Sequence, residues 1–212
     1  MKPNSLSGAR TLLEQGLPNV PRETIEKLLR YTGLTMTWNP RVNLTGAKDP
    51  STFVEHQVLD CAQAYFALPS SQVFVDLGSG SGLPGIVWAI LNPDQRIILV
   101  EILKKRSAFL NRTIAELELK NSTVIHGSFL DLRPHLVPEA GNLVSRGTWP
   151  PQELLKLAQN TLLPWKRWWV FSNEKLHQQY LKLSPAYTIR ADSLKYLKNN
   201  QENGLLTRLD RE

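Results

Sequence analysis

Short apolar runs alternate with longer amphipathic stretches along most of the chain after residue 70. The runs have the length of strands and end in polar residues or glycine; they fall at residues 73–75, 97–100, 123–125, 143–144, 168–171 and 205–209. Between them, the apolar spacing predicts helices at residues 86–91, 104–119 and 151–163. Strands that alternate with helices predict βαβ units, and therefore an α/β fold with a mostly parallel sheet.

Before this alternation begins, the pattern is helical. One helix is predicted over residues 22–37, starting behind Pro21 and ending at Pro40, because proline suits the first turn of a helix and disrupts later ones. A second helix is predicted over residues 50–66, since Asp49 has the side chain of a helix N-cap.

The length of 212 residues suits a helical extension over residues 1–68 followed by an α/β domain over residues 69–212. Hydrophobic residues make up 42% and charged residues 21%, which is typical of a folded globular protein. No apolar stretch has the length of a membrane span, and the N-terminal residues lack the apolar region of a signal peptide. A single cysteine, Cys61, excludes a disulfide framework and a site with several cysteine ligands, and the histidines are widely spaced. We therefore expect a cytoplasmic protein without a metal ion.

The formal net charge of +6 is unevenly distributed. Residues 1–50, 101–150 and 151–212 carry net charges of +3, +2 and +4, whereas residues 51–100 carry −3. A basic surplus favours an anionic partner, nucleic acid above all. A basic rim around a less basic pocket also suits a large polyanionic substrate together with a small cationic cofactor.

The most specific motif is a glycine-rich turn between the first strand run and the next helix. Glycines suit a tight turn and leave space for a ligand close to the backbone. Residues 80–85 read GSGLPG and match the dinucleotide pattern G-x-G-x-x-G. Residues 76–82 read DLGSGSG, an acidic residue followed by alternating glycines. The turn therefore fits two different cofactors.

Two residues favour a cofactor without phosphate groups. Pro84 removes an amide near the start of the helix that a pyrophosphate needs, and Asp76 repels negative charge. S-adenosylmethionine has a positive sulfonium and an ammonium group, and an acid is compatible with both. Glu101 ends the second run, where an acid binds the ribose hydroxyls of any adenosine cofactor, so it does not choose between the two.

Basic and aromatic residues supply candidate RNA contacts. The start of the helix at residues 104–119 either contacts phosphates or is a solvated face; its basic residues are Lys104, Lys105, Arg106 and Arg112. Trp38 either stacks on a base or packs in the core, and core packing is favoured. The tryptophans at residues 165, 168 and 169 are expected to pack inward from a strand rather than to form an RNA platform.

Several segments together resemble the bacterial 16S ribosomal RNA guanine-N7 methyltransferases, the RsmG or GidB family. Residues 76–85 resemble D-x-G-S-G-x-G-x-P-G, residues 38–45 resemble W-N-x-x-x-N-L-T, and residues 101–110 resemble E-x-x-x-K-K-x-x-F-L. Residues 55–60 resemble the H-x-x-D-S region, with Cys61 in place of its serine, and Ser145-Arg146 resembles the S-R-A motif. The resemblance extends from about residue 10 to about residue 165.

This resemblance implies a class I S-adenosylmethionine-dependent methyltransferase, with a Rossmann-like, mostly parallel seven-stranded sheet and an N-terminal helical extension. It implies methyl transfer to N7 of a guanine in 16S ribosomal RNA, by a monomer acting on the RNA or on the small ribosomal subunit particle. Arg146 and Asn39 are the implied catalytic residues, although Asn39 equally suits the role of a turn cap. The implied cofactor-binding residues are Asp76, Gly78, Ser79, Gly80, Gly82, Leu83, Pro84, Glu101, Ile102, Ser128, Phe129 and Arg146.

The chain also departs from the family pattern. Gly147 stands where the third motif residue is alanine, Asn142 stands where an acid is common, and Ser128 stands where an arginine is usual. The late lysine-glycine and arginine-histidine pairs of the family are not evident in the C-terminal third. These departures leave an altered RNA specificity or a reduced activity open. Two alternatives to an RNA methyltransferase also stay open: an NAD-dependent oxidoreductase, which the dinucleotide pattern of the turn allows, and a non-catalytic RNA-binding relative.

Overall fold

A computed structural model describes residues 6–71, 73–132, 141–198 and 203–211, which form one seven-stranded sheet with helices on both faces. The strands are β1 (Val73–Leu77), β2 (Arg96–Glu101), β3 (Ser122–His126), β4 (Asn142–Ser145), β5 (Arg167–Ser172), β6 (Ile189–Leu197) and β7 (Asn203–Arg211). The helices are α1 (Ser7–Gly16), α2 (Arg22–Val42), α3 (Pro50–Phe53), α4 (Leu59–Ala67), α5 (Gly85–Leu91), α6 (Lys104–Leu117), α7 (Pro151–Asn160) and α8 (Glu174–Leu183).

The strand order is β3-β2-β1-β4-β5-β7-β6. The first five strands of that order pair in parallel, whereas β7 is antiparallel to both β5 and β6. The predicted Rossmann-like, mostly parallel seven-stranded sheet is therefore confirmed. Because β2 and β4 lie on opposite sides of β1, the chain reverses direction across the sheet there and leaves a crevice at the carboxyl ends of the strands.

Each face of the sheet carries its own apolar core. Phe74 packs with the N-terminal helices and with α5 and α6, whereas Val75 and Leu77 pack with α7 and α8, because side chains alternate along a strand. The indole N–H of the fully buried Trp88 on α5 donates to the carbonyl of Cys61 on α4, at 2.9 Å. The N-terminal helices thus share a core with the α/β part, and the domain division after residue 68 stays a prediction.

Several element boundaries differ from the predicted ones. The first predicted helix does not end at Pro40 but continues to Val42. Proline removes only one helical hydrogen bond, and the last turn closes when the amide of Asn43, at a left-handed φ of 55°, donates to the carbonyl of Asn39. The predicted helix over residues 50–66 is observed as α3 and α4, joined by a π-helical turn at Val54–Val58.

Three elements lie where no element was predicted, namely α1, α8 and β6. Strand β6 is an edge strand whose side chains are mostly exposed, so it has no apolar run to mark it. Residues 199–204 read NNQENG, which predicts a turn before the last strand. Residues 199–202 lie outside the described residues, and Asn203 and Gly204 belong to β7 rather than to a turn. The tryptophans of β5 pack inward, as predicted.

Candidate cofactor cleft

A cleft of about 460 Å³ lies in the crevice at the carboxyl ends of β1, β2 and β4. Open α/β sheets bind their ligands at such a switch point. Seven of the residues predicted to bind a cofactor line it: Gly78, Ser79, Gly80, Leu83, Glu101, Ile102 and Arg146.

The glycine-rich turn has a backbone conformation that other residues rarely adopt. Gly78, Gly80 and Gly82 have φ angles of 72°, 56° and 94°. Gly78 also lies so close to Thr148 that an added Cβ would overlap the threonine methyl group. The amides of Gly78 and Ser79 donate to the carbonyl of Val100, at 2.9 and 3.0 Å, so the turn follows a fixed path along the cleft wall.

Glu101, at the end of β2, holds the two sides of the cleft together. One carboxylate oxygen accepts the amide of Gly80 and the other accepts the amide of Leu103, each at 2.8 Å. The side chain is buried, yet it lines the cleft. Each carboxylate oxygen has further lone pairs, so the predicted contact with ribose hydroxyls is compatible with these bonds and stays a prediction.

Asp76 lies deeper, near the end of β1, and is fully buried. Its Oδ2 accepts the amide of Gly85 at 3.0 Å, whereas its Oδ1 is buried without a hydrogen-bond partner. Burial raises the pKa of Asp76 to about 7, and the charge of Glu101 also raises it, although the Gly85 amide lowers it. One oxygen of this acid thus has no donor within the described part of the protein, which favours a cationic ligand nearby.

The first amides of α5 are already used within the protein. The Gly85 amide donates to Asp76, and the Ile86 amide donates to the carbonyl of Gly82 at 2.7 Å. A bound pyrophosphate needs free amides at this position. The geometry therefore disfavours the dinucleotide interpretation of the turn.

A smaller apolar pocket of about 200 Å³ adjoins the cleft and shares Gly78, Ile102 and Trp149 with it. Ile102 and Leu130 are exposed apolar side chains on its rim. The predicted cofactor residues Ser128 and Phe129 also line it. The Ser128 hydroxyl caps the following turn by accepting the Leu130 amide, and the buried Phe129 ring packs against Trp149 with centroids 5.5 Å apart.

Arg146 directly follows β4 and points its guanidinium at Asp60 of α4, with 3.5 Å between Nη2 and Oδ2. The same guanidinium lies over the ring of Phe171, 5.7 Å from its centroid. The other oxygen of Asp60 accepts the hydroxyl of Tyr196 at 2.7 Å and lies 3.7 Å from Nζ of Lys198. Four elements of the fold therefore position Arg146 at the cleft.

Asn39, the other predicted catalytic residue, does not line the cleft. Its side-chain oxygen accepts the amides of Leu44 and Thr45, at 2.7 and 2.9 Å, and its side-chain nitrogen donates to the carbonyl of Thr45. These bonds fit the turn-cap interpretation, and the catalytic role of Asn39 stays a prediction.

Three other predicted cofactor residues, Asp76, Gly82 and Pro84, also lie outside the lining of the cleft. The lining includes residues that were not predicted, among them Gln57, Thr148 and Trp149. The glycine-rich turn is further tied to the N-terminal helices, because the buried hydroxyl of Tyr31 on α2 donates to the carbonyl of Ser81 at 2.9 Å.

The described part of the chain contains no group of three or more histidine, cysteine, aspartate or glutamate side chains arranged to hold a metal ion. None of its helices combines the length and the apolar character that crossing a bilayer requires.

Comparison with known proteins extends the resemblance. The model of the GidB family, described as rRNA small subunit methyltransferase G, matches residues 24–205, so the match continues past residue 165 into the C-terminal third. The ribosomal RNA small subunit methyltransferase G of Burkholderia multivorans is 39% identical over 142 residues, which cover 65% of this chain and 62% of that protein. The protein of the same name from Methylobacillus flagellatus is 33% identical over 160 residues, covering 64% and 78%.

Solved structures confirm the class I methyltransferase fold. An O-methyltransferase from Bacillus cereus in complex with SAH aligns with a TM-score of 0.57, covering 98% of this chain and 99% of that one at 13% identity. At that identity the likeness concerns the fold alone. The alignment with the Burkholderia multivorans protein spans about three fifths of that relative's length.

Proposed function

This chain belongs to the GidB family of rRNA small subunit methyltransferases G, and on that premise we propose that it transfers a methyl group from S-adenosylmethionine to N7 of a guanine in 16S ribosomal RNA. The observation that carries the proposal is the chemistry of the cleft. It presents the carboxylate of Glu101, the acid Asp76 lies buried behind the glycine-rich turn that lines it, and the amides that would bind a pyrophosphate are already used.

The residues present fit S-adenosylmethionine. Asp76 has a buried oxygen without a partner, which suits the positive charge of the cofactor, and Glu101 has lone pairs for ribose hydroxyls. The apolar rim residues Ile102, Leu130 and Trp149 suit an adenine ring. When bound, the cofactor supplies a methyl group that its positive sulfonium has already activated.

The chain has little proton chemistry to perform. Guanine N7 carries a free lone pair in the plane of the ring, so its methylation requires no base. The protein must instead hold the guanine in line with the methyl group and keep water out. The glycine-rich turn fixes the cofactor's side of this alignment, because its own path is fixed by hydrogen bonds to Val100 and Glu101.

Arg146 is the residue that we assign to the guanine. Its guanidinium lies at the cleft and donates in the plane, which suits the guanine O6 while N7 stays free for the methyl group. Asp60 orients it through an ion pair of 3.5 Å. Asn39 acts one step away by fixing the loop at Leu44, which lines the cleft.

The partner and the location follow from this reaction. The substrate is 16S ribosomal RNA, alone or within the small ribosomal subunit particle, and the protein acts as a monomer in the cytoplasm, where that RNA is made. An NAD-dependent oxidoreductase is disfavoured by the used amides of α5. A non-catalytic RNA-binding relative differs in predicting RNA binding without methyl transfer.

Nucleoside mass spectrometry of 16S ribosomal RNA from cells with and without the gene tests the proposal. We expect one 7-methylguanosine to disappear with the gene and to return with the wild-type protein, but not with the Arg146→Ala variant. Incubating purified protein with labelled S-adenosylmethionine and either naked 16S RNA or small-subunit particles then identifies the substrate form. Unchanged 7-methylguanosine at every position would refute the reaction.

A further inference from the structure

A second groove, of about 300 Å³, lies between the end of α2 and the start of α6. Two segments far apart in sequence meet there, and none of the residues that line the groove lines the cofactor cleft. The groove is lined by Thr37, Trp38, Arg41, Val42, Lys105 and Ala108.

This groove adjoins the cleft across a narrow ridge. Arg106 and Asn43 form this ridge, and Nη2 of Arg106 donates to the carbonyl of Asn43, at 2.9 Å. Arg106 lines the cleft, and its neighbour Lys105 lines the groove. Because Lys105 and Arg106 are adjacent in the chain, the groove lies next to the cleft.

Some basic residues of this region have partners within the protein, whereas others have none among the described residues. Arg106 is bonded to Asn43, and Arg112 is paired with Glu116. Arg41 and Lys105 are exposed, and neither makes a hydrogen bond or an ion pair with any part of the chain that the structure describes. Lys104 is also exposed and has no partner among the described residues, but it does not line the groove, so Arg41 and Lys105 are the two free cations of its lining.

Trp38 supplies an aromatic surface beside these cations. Its half-buried ring packs against Phe109 in a tilted arrangement, with centroids 5.8 Å apart, and also lines the groove. An aromatic surface flanked by free cations is the combination that binds single-stranded nucleic acid, because bases stack on the ring while phosphates contact the cations.

We propose that this groove binds the single-stranded stretch of the RNA substrate next to the target guanine. Arg41 and Lys105 contact its phosphates, and Trp38 contacts a neighbouring base. The proposal rests on the proposed function, because it assigns the groove to the same RNA. It accounts for the charges of this region, since only the unpaired ones face the groove.

A pair of double variants with equal loss of charge tests the proposal. Arg41→Ala with Lys105→Ala removes both cations of the groove. Lys120→Ala with Lys182→Ala removes two exposed cations, one beyond the far end of α6 and one on α8. Binding of a single-stranded RNA with the target sequence is measured over a range of salt concentrations, together with S-adenosylmethionine binding and methyl transfer by each protein.

The groove variant is expected to weaken RNA binding roughly tenfold and to reduce the slope of log K against log salt by about 1.4, which is the contribution of two single-strand phosphates. Its affinity for S-adenosylmethionine and its kcat at saturating RNA are expected to stay within about twofold of wild type. The control variant should keep the wild-type slope. Equal losses in both variants would overturn the proposal, because they would show only a general effect of net charge.

Trp38→Leu tests the aromatic contact separately. Leucine keeps an apolar contact with Phe109, and a thermal melt checks that the variant folds. We expect about a fivefold loss of RNA affinity with an unchanged salt slope. Unchanged affinity overturns the base contact. If the wild-type protein itself neither methylates nor binds ribosomal RNA, the proposed function has failed and the groove assignment falls with it, whereas wild-type activity with an unaffected groove variant refutes the groove alone.

Discussion

The hydroxyl of Tyr196 donates to the carboxylate of Asp60 at 2.7 Å, although 136 residues separate them in the chain. Asp60 belongs to α4 in the N-terminal helical region, and Tyr196 belongs to the edge strand β6. Between them they hold Arg146, which lies 3.5 Å from the other oxygen of Asp60. Helix α4 and strand β6 are thus joined beside Arg146, the residue that we assign to the guanine.

Tyr196→Phe is expected to lower the free energy of unfolding by about 1.5–3 kcal/mol, the usual contribution of a hydrogen bond to a charged group. Urea denaturation of the two proteins measures the change. Tyr187→Phe is the matched control, because the Tyr187 hydroxyl has no hydrogen-bond partner among the described residues. Equal effects of the two substitutions would contradict a specific contribution of the Asp60 contact.

Asp60→Asn is expected to lower kcat about tenfold or more while leaving the affinity for S-adenosylmethionine unchanged. Asparagine still accepts the Tyr196 hydroxyl but no longer pairs with Arg146, and small misplacements of a positioning group cost about that much in rate. Single-turnover methylation and calorimetry separate the two quantities.

Lys198→Ala is the control for the same carboxylate. The Lys198 side chain is 37% exposed and lies 3.7 Å from Asp60, so the pair contributes little. If this variant loses as much kcat as Asp60→Asn, then Asp60 does not act through Arg146.

Most of the sheet and the glycine-rich turn were predictable from sequence, because both depend on local patterns. Buried strands such as β2 are continuous apolar runs, and the turn residues Gly78, Gly80 and Gly82 need backbone angles that glycine adopts most easily. Family resemblance supplied the seventh strand. Edge strand β6 has an exposed, mixed pattern that does not distinguish a strand from a loop.

The surroundings of the site were less predictable, because they depend on contacts between distant segments. No local pattern connects Tyr196 with Asp60, and none places Thr148 against Gly78. For Asn39, the sequence marked the residue but did not reveal its contacts. Its position in a motif indicated an important residue, but only the structure shows that its side chain is bonded to Leu44 and Thr45.

Gly78→Ala is expected to weaken S-adenosylmethionine binding at least about tenfold. The new methyl group would overlap the Thr148 side chain, and a left-handed φ of 72° adds roughly 1–2 kcal/mol of strain. Gly147→Ala is the control, because its φ of 64° is similar but no atom lies within 4 Å of the added Cβ. Calorimetry should show the larger loss for Gly78→Ala, and adding Thr148→Ser should recover part of it. Equal losses would mean that backbone strain alone is responsible.

Asp76 makes stability depend on pH. Its pKa rises from 3.8 to about 7 on folding because it is buried, so the folded protein keeps a proton that the unfolded chain releases. The contribution of this group to stability is therefore fully present below about pH 4 and is lost as pH rises to about 7. In Asp76→Asn that loss is absent, so the variant should gain stability relative to wild type between pH 5 and pH 8. Urea denaturation at both values tests this, and parallel curves would contradict the raised pKa.

The same group should couple cofactor binding to a proton. A cationic ligand stabilises the ionised form of Asp76, so binding of S-adenosylmethionine below about pH 7 has to release the proton that burial retains there. Affinity should therefore rise as pH increases from 6 to about 7 and level off above it. Calorimetry in two buffers with different ionisation enthalpies counts the released proton directly. Asp76→Asn should bind more weakly at pH 8 and show no proton release, whereas release that persists in this variant would assign the proton to another group.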